Sequence, residues 1–391
     1  MNTSFKTFLK HAGKDLANRS VNTPVVRAST LIFKSLEDIR KTQNYGLKKP
    51  LGGHFSYGRE GTKTTFALQK MLRTIEESYE VFLTPTGFGA VFLSIFSLAR
   101  PGDEILLSDP IYSPTRLLSE GYLKEFNINA VFYDPNNIKD LKNKISKKTK
   151  IIFVENPGSN TFEFQDLSKV LQIAKKNKIL TAIDNTWATP YFFKPIKLGF
   201  DMAIVSATKY YSGHSDVMGG SLAVNKKVFK HVEKAQKITG LRLGPDDAYL
   251  ITRGLRTLDV RLDKHYENAM KVAAFLSKDK RIKLLYPYKK GSQNYKMWKK
   301  YYSGASGLMG LMIKAKNKKS VIKFVNSLKL FGHGYSWGGF ESLAIHQGKS
   351  ERGNRKYLSL KKDERLVRLH IGLEDPKDLV ADLKQALRHV K

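Results

Sequence analysis

The chain contains no cysteine. Disulfides, thiolate-bound zinc and a cysteine nucleophile are therefore excluded. Its histidines occur singly, without the spacing of metal ligands, so we expect no metal site. The glycine-rich motifs that bind dinucleotides or the phosphates of nucleoside triphosphates are also absent. These absences remove several large classes of enzyme.

Long hydrophobic runs are missing as well. The longest near-apolar stretch, residues 87–99, is too short to span a bilayer and lies between Pro85 and Arg100. The N-terminus, from Met1 to Lys6, lacks the basic-then-apolar profile of a secretory signal. We therefore expect a cytoplasmic protein without a membrane partner.

Acidic residues are scarce beside basic ones, 35 against 68, which leaves a net charge of +33. Such a surplus of positive charge could bind nucleic acid. A basic nucleic-acid-binding protein is therefore the alternative from another functional class. A binding face would concentrate Lys and Arg in one stripe or on a known module. Here lysine is spread over predicted helix surfaces, as in 142–150 and 314–323, so we expect no nucleic-acid partner.

From Val81 onward, short apolar strands alternate with helices. Strands of this kind form a mostly parallel sheet covered by helices on both faces, so the predicted fold class is α/β. Ligands in such sheets bind beyond the carboxyl ends of the strands. The predicted strands are 81–84, 105–107, 150–155, 179–183 and 201–205, with helices at 88–99 and 167–176.

A chain of 391 residues is long enough for two domains. Residues 1–60 look irregular apart from an amphipathic start, and we interpret them as an arm that wraps a neighbour or covers a site. Residues 61–247, which open with a helix at about 63–77, form the large domain. Residues 248–391 predict a smaller α+β domain, with helices at 248–277, 319–328 and 376–390 and strands at 307–313 and 365–372.

Lys209 follows the predicted strand 201–205 in a segment rich in Ser, Gly and Thr. A lysine at the mouth of a buried strand is costly to desolvate unless its charge is used, and such an amine can form a Schiff base. Asp184 ends another strand, and Gly87 and Phe88 begin a helix whose N-terminus suits a phosphate. A lysine, an acid and a helix N-terminus at strand ends are what a pyridoxal 5'-phosphate (PLP) site requires.

Further polar and aromatic residues fit the same interpretation. Ser206 and Thr208, beside the lysine, can donate hydroxyl protons to the phosphate, and Tyr112 at a strand end could stack on the ring. Tyr57 and Arg59 flank a glycine in a loop, an arrangement that suits an anion.

The second domain offers a place for a substrate carboxylate. Arg368 lies on an alternating strand and could bind a carboxylate in a bidentate pair. His370 shares its face of that strand, and we interpret it as structural rather than catalytic. Trp337 stands between a serine and two glycines, which is poor core geometry.

These residues resemble those of the Cys/Met-metabolism family of PLP-dependent enzymes, and within it the bacterial cystathionine β-lyases. The similarity runs from about residue 20 to the C-terminus. Its most specific segments are Tyr57-Gly-Arg59, Asp184-Asn185-Thr186, the run from Ser206 to Gly220, Ser336-Trp337-Gly-Gly-Phe-Glu-Ser-Leu343 and Arg368-Leu-His-Ile-Gly-Leu-Glu374.

The resemblance implies an aspartate-aminotransferase-like fold (PLP fold type I) and a homotetramer built from active dimers. It implies that Lys209 binds the cofactor covalently and that Asp184 holds the pyridinium nitrogen. Tyr57 and Arg59 would reach the phosphate of the neighbouring subunit's cofactor. The remaining implied roles are the phosphate site of Gly87, Phe88, Ser206 and Thr208, ring stacking by Tyr112, and the substrate site of Ser336, Trp337 and Arg368.

Two departures bear on the reaction. Relatives that act at the γ-carbon usually carry Thr-Asn-Pro after the strand ending near Glu155, where this chain has Ser159 at the asparagine's place. They also usually read Ser-Leu-Gly-Gly where this chain has Trp337 after Ser336. Both departures favour the β-lyase branch, and the unusual Phe88 could alter pocket width.

The implied reaction is cleavage of L-cystathionine, a thioether amino acid, to L-homocysteine, pyruvate and ammonia in methionine biosynthesis. Lys209 would act as the base, and Tyr112 would assist. A cystathionine γ-lyase, a γ-synthase or a methionine γ-lyase is the alternative within the family.

Overall fold

The structure is a computed structural model that describes residues 3–14, 19–48, 56–347, 355–357, 361 and 363–391. Its contacts group the chain into two compact units. Unit 1 comprises Met1–Ala99, Thr181–Ser212 and Asp216–Asp259, and unit 2 comprises Arg100–Leu180, Gly213–Ser215 and Val260–Lys391. The domain boundaries predicted after residues 60 and 247 stay a prediction.

The five strands predicted between residues 81 and 205 and the strand predicted at 307–313 are all present, each within one residue at both ends, whereas the strand predicted at 365–372 ends two residues earlier, at His370. In chain order, the strands of the described residues are β1 (Glu80–Thr84), β2 (Glu104–Ser108), β3 (Asn129–Tyr133), β4 (Thr149–Glu155), β5 (Leu180–Asp184), β6 (Met202–Ser206), β7 (Gly220–Val224), β8 (Ile282–Leu285), β9 (Leu308–Lys314), β10 (Leu343–Gln347) and β11 (Glu364–His370).

The helices separate these strands along the chain. Within the described residues they are α1 (Phe5–His11), α2 (Leu36–Lys48), α3 (Lys63–Ile75), α4 (Gly87–Phe96), α5 (Ser113–Leu117), α6 (Leu123–Glu125), α7 (Ile138–Asn143), α8 (Leu167–Lys176), α9 (Thr189–Phe192), α10 (Pro195–Leu198), α11 (Phe229–Thr239), α12 (Pro245–Leu255), α13 (Leu258–Leu276), α14 (Gln293–Tyr301), α15 (Lys318–Asn326) and α16 (Pro376–Ala386). None of these described helices combines the length and the apolar character that crossing a membrane requires.

Unit 1 contains four strands in one mixed sheet, and unit 2 contains three strands in a parallel sheet and four in an antiparallel one. In unit 1 the strand order is β1-β7-β6-β5, and β7 runs antiparallel to both of its neighbours. In unit 2 the first sheet has the order β4-β2-β3, with parallel pairing, and the second has the order β10-β11-β9-β8. The α/β class predicted from the sequence is confirmed.

Strands β3, β7, β8 and β10 were not predicted. Strand β7 begins at Gly220 directly after Gly219, and paired glycines are typical of turns rather than of strands. Strand β3 begins with the exposed Asn129, so it lacks the continuous apolar run that identifies a buried strand. The series of strands is therefore longer than the apolar pattern shows.

The prediction that residues 1–60 are irregular beyond their start is wrong, because α2 covers Leu36–Lys48. Its polar composition hides it from a search for apolar periodicity. The acidic Glu37 and Asp38 lie in its first turn, where they complement the helix dipole. Glu37 also pairs with Lys41 at 2.8 Å, one helical turn later.

The single long helix predicted at 248–277 is in fact two. Helix α12 ends at Leu255 and α13 begins at Leu258. A Cβ atom on Gly254 would lie 2.3 Å from the carbonyl oxygens of Tyr211 and Ser212, so only glycine allows this close approach. The backbone of the lysine segment therefore packs against the end of α12.

Glu76, the C-cap residue of α3, is fully buried in unit 1. The hydroxyl of Tyr211 donates a hydrogen bond to Glu76 Oε1 at 2.7 Å. Burial raises the pKa of Glu76 to about 7, against the opposing effects of the Tyr211 hydroxyl and the positive charge of Lys194. Because Tyr211 comes two residues after Lys209, this contact anchors the lysine segment to α3.

We expect Glu76→Gln to remove a pH-dependent loss of stability. The folded-state pKa lies above the ordinary 4.5, so the wild-type protein loses stability as the pH rises from about 4.5 to about 7. The loss should reach up to about 3 kcal/mol above that range, since each pKa unit corresponds to about 1.4 kcal/mol. Thermal midpoints at pH 5 and pH 8 measure this loss. The midpoint of the variant should rise relative to that of the wild type between these two pH values.

Glu77→Gln provides the matched control. Hydrogen bonding to Lys194 lowers the pKa of Glu77, so its stabilising contribution is present at neutral pH and lost on acidification. Because the folded and the unfolded protein both ionise Glu77 above about pH 5, the difference in stability between the Glu77 variant and the wild type should stay nearly constant from pH 5 to pH 8, and it should be less than about 1 kcal/mol because the pair is partly exposed. A Glu76→Gln effect that stays constant with pH would contradict the assignment.

Candidate active site

Lys209 lies in a turn that follows strand β6. The strand is buried up to Val205, and the chain turns from Ser206 onward. The Lys209 amide donates to the Ser206 carbonyl at 3.1 Å, and the Ser212 hydroxyl donates to the carbonyls of Thr208 and Lys209 at 3.1 and 3.3 Å. Local hydrogen bonds thus hold the backbone of the half-buried lysine.

The N-terminus of helix α4 lies against Ser206. Thr86 is the N-cap, and its hydroxyl accepts from the Gly89 amide at 2.9 Å. A Cβ atom on Gly87 would lie 2.3 Å from Ser206 Oγ and 2.9 Å from its Cα. The helix tip can therefore approach the end of β6 only because residue 87 is glycine.

Gly220 explains how the tip of helix α4 and the end of strand β6 meet across strand β7. The register pairs Gly220 with Thr84 of β1 on one side and with Ser206 of β6 on the other. A Cβ atom on Gly220 would lie 2.3 Å from the Thr86 carbonyl oxygen. The chain after β1 thus passes directly over Gly220 and brings Gly87 to Ser206.

Asp184 ends strand β5, which pairs with β6 in parallel. Its Oδ1 accepts from the Thr186 amide at 2.9 Å, and the Thr186 hydroxyl accepts from the Ser206 amide at 2.9 Å. Burial raises the pKa of the Asp184 carboxyl, and this outweighs the opposing effects of Thr186 and of the Lys209 charge. A carboxylate in this environment lacks full compensation for its negative charge.

The hydroxyl of Thr208 is bonded within its own turn. It accepts from the Gly219 amide at 3.0 Å and lies 3.2 Å from the Gly219 carbonyl oxygen, to which it can donate. Thr208 therefore links the two ends of the segment that carries Lys209. Its predicted role as a phosphate ligand stays a prediction, as do the roles of Gly87, Phe88 and Ser206.

Unit 1 fits PLP in its chemistry. The tip of α4 suits a phosphate, because the first amides of a helix lack intrahelical acceptors and the dipole is positive there. The buried Asp184 carboxylate suits a protonated ring nitrogen, whose positive charge would offset the cost of ionising it. Lys209, which follows both in sequence, supplies the amine and shares an electrostatic interaction with Asp184.

Tyr57 and Arg59 also belong to unit 1, and both side chains are about half exposed, by 45% and 55%. The Arg59 guanidinium lies 5.8 Å from the centre of the Tyr57 ring, and it pairs with Glu60 at 3.4 Å. These exposed side chains are accessible to a second copy of the chain. Phe88, the second residue of α4, is similarly exposed.

Tyr112 lies in unit 2, on the loop between β2 and α5. The Tyr112 amide donates to Glu155 Oε2 at 2.6 Å, and the Ser159 amide donates to the Pro110 carbonyl at 2.7 Å. The loop after β2 is thus bonded to the loop after β4. The Tyr112 side chain is 44% exposed.

The predicted substrate residues lie together in unit 2. Arg368 Nη2 donates to the Ser336 carbonyl at 3.1 Å, which joins β11 to the loop that carries Trp337. Ser336 has a φ of +81°, a conformation that residues with side chains rarely adopt. Their roles toward substrate stay predictions.

Three supporting residues make contacts that the sequence reasoning did not identify. Thr186 joins Asp184 to Ser206, and Glu76 anchors Tyr211. His370, predicted to be structural, bonds to the Trp337 loop. Thr186 and His370 stand in the motifs Asp184-Asn185-Thr186 and Arg368-Leu-His-Ile-Gly-Leu-Glu374, but neither motif indicates the partner residue that is far away in sequence.

The profile of the Cys/Met metabolism PLP-dependent enzymes matches residues 6–388. The chain belongs to this family. Its cofactor is therefore PLP, which the chemistry of unit 1 fits, and the prediction made from Lys209, Asp184 and the tip of α4 is confirmed at the level of the cofactor.

Individual relatives span almost the whole chain. A cystathionine beta-lyase of Bordetella avium is 35% identical over 97% of this chain and 96% of its own. An L-alanine/L-glutamate racemase of Wolbachia pipientis is 34% identical over 94% of this chain and 92% of its own. The crystal structure of a cystathionine gamma synthase from Xanthomonas oryzae covers 100% of this chain and 99% of its own, with a TM-score of 0.90 at 28% identity. The aspartate-aminotransferase-like fold is thereby confirmed.

We expect Gly87→Ala to disturb the contact between α4 and β6. The new methyl group would lie 2.3 Å from Ser206 Oγ and 2.5 Å from its Cβ, and overpacking of this kind costs about 1–3 kcal/mol. The thermal midpoint of the cofactor-free protein should fall, and PLP retention on dialysis should fall with it. Adding Ser206→Gly, which removes both atoms, should restore part of the midpoint. Adding Ser206→Ala, which removes Oγ but leaves Cβ 2.5 Å away, should restore less. If Ser206→Gly and Ser206→Ala change the midpoint of the Gly87→Ala protein equally, the contact between residue 87 and Ser206 is contradicted.

We expect Asp184→Asn to stabilise the cofactor-free protein at neutral pH while weakening PLP retention. The raised pKa means that the folded protein loses stability as the pH rises above the ordinary 3.8 of an aspartate. Asparagine keeps the oxygen that accepts from Thr186 but cannot ionise. Thermal midpoints at pH 4 and pH 7.5 measure the first effect, and absorbance after dialysis measures the second.

Asp201→Asn is the matched control, since Asp201 is also buried in unit 1 and accepts from Thr181 and Asn225 through both carboxylate oxygens. This variant should lose stability, because it leaves a buried partner unsatisfied. A cofactor-free Asp184→Asn protein that is less stable than the wild type at pH 7.5 would overturn the interpretation of Asp184.

Proposed function

We propose that the protein is a carbon–sulfur β-lyase that converts L-cystathionine and water to L-homocysteine, pyruvate and ammonia. The observation that carries the proposal is the full-length similarity to a cystathionine beta-lyase, at 35% identity. Ser159 and Trp337 support it, because both depart from the pattern of relatives that act at the γ-carbon. The proposed place in metabolism is methionine biosynthesis in the cytoplasm.

When bound, PLP supplies an electron sink that stabilises negative charge at the substrate's Cα atom. Lys209 would hold the cofactor, and its Nζ would take the Cα proton. Asp184 would keep the ring nitrogen of the cofactor protonated. Burial raises the pKa of the Asp184 carboxyl, and the cation that it holds would compensate the negative charge of its ionised form.

The remaining proposed roles concern positioning. Arg368 and Ser336 would bind the α-carboxylate, with Trp337 beside them, and the bond between Arg368 and the Ser336 carbonyl supports their joint action. Tyr112 would stack on the ring and assist the exchange of amines, on a loop that its amide bonds to Glu155.

We also propose that the protein acts as a homotetramer of active dimers, in which Tyr57 and Arg59 bind the phosphate in the neighbouring subunit. The support is their exposure on unit 1, beside a glycine that brings the backbone close to Ala28 and Ser29. A loop held in this way can present two side chains to another copy.

Two other activities compete. A γ-lyase or γ-synthase is supported by the similarity to the Xanthomonas enzyme, at 28% identity. An amino-acid racemase is supported by the similarity to the Wolbachia enzyme, at 34% identity. All of these reactions begin by removing the Cα proton. The residues that carry out this first step therefore do not discriminate among the activities.

The experiment is product analysis with the PLP-loaded protein. With L-cystathionine we expect pyruvate and homocysteine; 2-oxobutyrate and cysteine would mean γ-cleavage. With L-alanine we expect no D-alanine; rapid formation of D-alanine without pyruvate from cystathionine would favour racemisation and overturn the β-lyase proposal.

Lys209→Ala should lower turnover by about 10³-fold or more, because it removes both the attachment and the base. Lys230→Ala, on the exposed face of α11, is the matched control and should retain wild-type turnover. A Lys209→Ala protein with near-normal turnover would exclude the proposed role of this residue.

A further inference from the structure

The loop from Ser336 to Gly339, which we call the tryptophan loop, has an unusual backbone. Ser336 and Gly338 have φ angles of +81° and +90°. A Cβ atom on Gly339 would lie 2.1 Å from Ser215 Oγ and 2.4 Å from Glu341 Oε2. Residues with side chains persist in such conformations only where surrounding contacts hold them. The question is which contacts hold this loop.

His370 supplies one of these contacts. Its Nε2 lies 3.2 Å from the Gly338 amide nitrogen and 3.1 Å from the Gly339 carbonyl oxygen. A neutral imidazole makes one of these bonds in each tautomer, accepting from Gly338 or donating to Gly339. In either tautomer the ring is bonded to the turn that follows Trp337.

Strand β11 places His370 and Arg368 on the same face, two residues apart. Arg368 bonds to the Ser336 carbonyl at the start of the tryptophan loop, and His370 bonds to its end. One strand therefore holds both ends of the loop. Arg368 is the proposed carboxylate ligand, so a shift of the loop would also change the surroundings of its guanidinium.

The His370 ring is itself held tightly. It is 1% exposed, and its centre lies 5.1 Å from that of His265, whose Nδ1 bonds to the Ile371 carbonyl at 2.8 Å. A Cβ atom on Gly307 would lie 3.3 Å from His370 Cε1 and 2.3 Å from the Ile371 carbonyl oxygen, so glycine leaves the space that the ring requires. The imidazole is packed with its Nε2 directed to the loop.

We propose that His370 is a positioning residue for substrate binding: it holds the tryptophan loop in the conformation in which Ser336 and Arg368 receive the substrate's α-carboxylate. This inference rests on the proposed function, because it takes the carboxylate role of Arg368 from there. An apolar side chain at 370 would leave a buried amide or carbonyl of the loop unsatisfied. The loop would then be in the binding-competent conformation in a smaller fraction of the molecules. The apparent affinity for the substrate would fall in proportion to that fraction.

The test compares two small ligands of the PLP-loaded protein, glycine and glycinamide, which differ at the carboxylate. Binding is followed by the visible absorbance of the cofactor, so no turnover is needed. For His370→Leu we expect the dissociation constant of glycine to rise about tenfold, within the range that losing a buried hydrogen bond allows. That of glycinamide should change less than about twofold, since it has no carboxylate for the loop to receive.

Two further variants separate positioning from packing. His370→Gln carries an amide that can donate or accept near the Nε2 position, and it should keep glycine binding within about threefold of the wild type. His370→Asn is polar but too short to reach the loop, and it should weaken glycine binding as leucine does. If the leucine variant does not fold, the asparagine variant decides. Equal weakening for both ligands, or no weakening, would overturn the inference.

Arg368→Gln distinguishes this inference from the proposed function. It should weaken glycine more strongly than any His370 variant and spare glycinamide. If it affects both ligands alike, the carboxylate role in the proposed function fails. If it weakens glycine selectively while His370→Leu and His370→Asn leave glycine binding unchanged, the carboxylate role stands and the positioning role of His370 is wrong.

Discussion

The contact between the tip of α4 and the end of β6 is the constraint on which unit 1 depends. Two glycines permit it: Gly220, over which the chain passes after β1, and Gly87, which meets Ser206. Because β7 lies between β1 and β6, the helix tip would otherwise be kept away from the lysine segment by the width of a strand. The geometry of the site therefore depends on these two residues without side chains as well as on the reactive residues.

Buried acids surround the lysine segment in a chain with a large positive charge. Asp184 and Glu76 both have raised pKa values because burial disfavours their ionised forms. Glu76 is used structurally, as the acceptor for Tyr211, whereas Asp184 fits a cationic cofactor nitrogen. Burial of a carboxyl therefore has two consequences in unit 1: at Glu76 it accompanies a structural hydrogen bond, and at Asp184 it would favour the binding of a cationic group.

Under the proposed function, the lyase and the competing activities share the removal of the Cα proton, so differences in reaction would arise after that step. The chain differs from the γ-active pattern at Ser159 and Trp337, and both residues lie in unit 2. Arg368 and His370 bond to the two ends of the loop that carries Trp337. Under the proposed function, we expect the determinants of specificity at Ser159 and in the loop that carries Trp337, with its supports, rather than in the lysine segment.

The sequence alone determined the positions of most strands, the lysine at the end of β6, the acid at the end of β5 and the helix tip at Gly87, because each depends on local periodicity or on neighbours in the chain. It did not reveal β7, whose glycines resemble a turn, nor α2, which is too polar to show an apolar stripe. The bonds of Glu76 to Tyr211 and of His370 to the tryptophan loop were decided by the tertiary structure. Their partners are 135 and about 30 residues apart, and no local pattern records which distant groups folding will bring together.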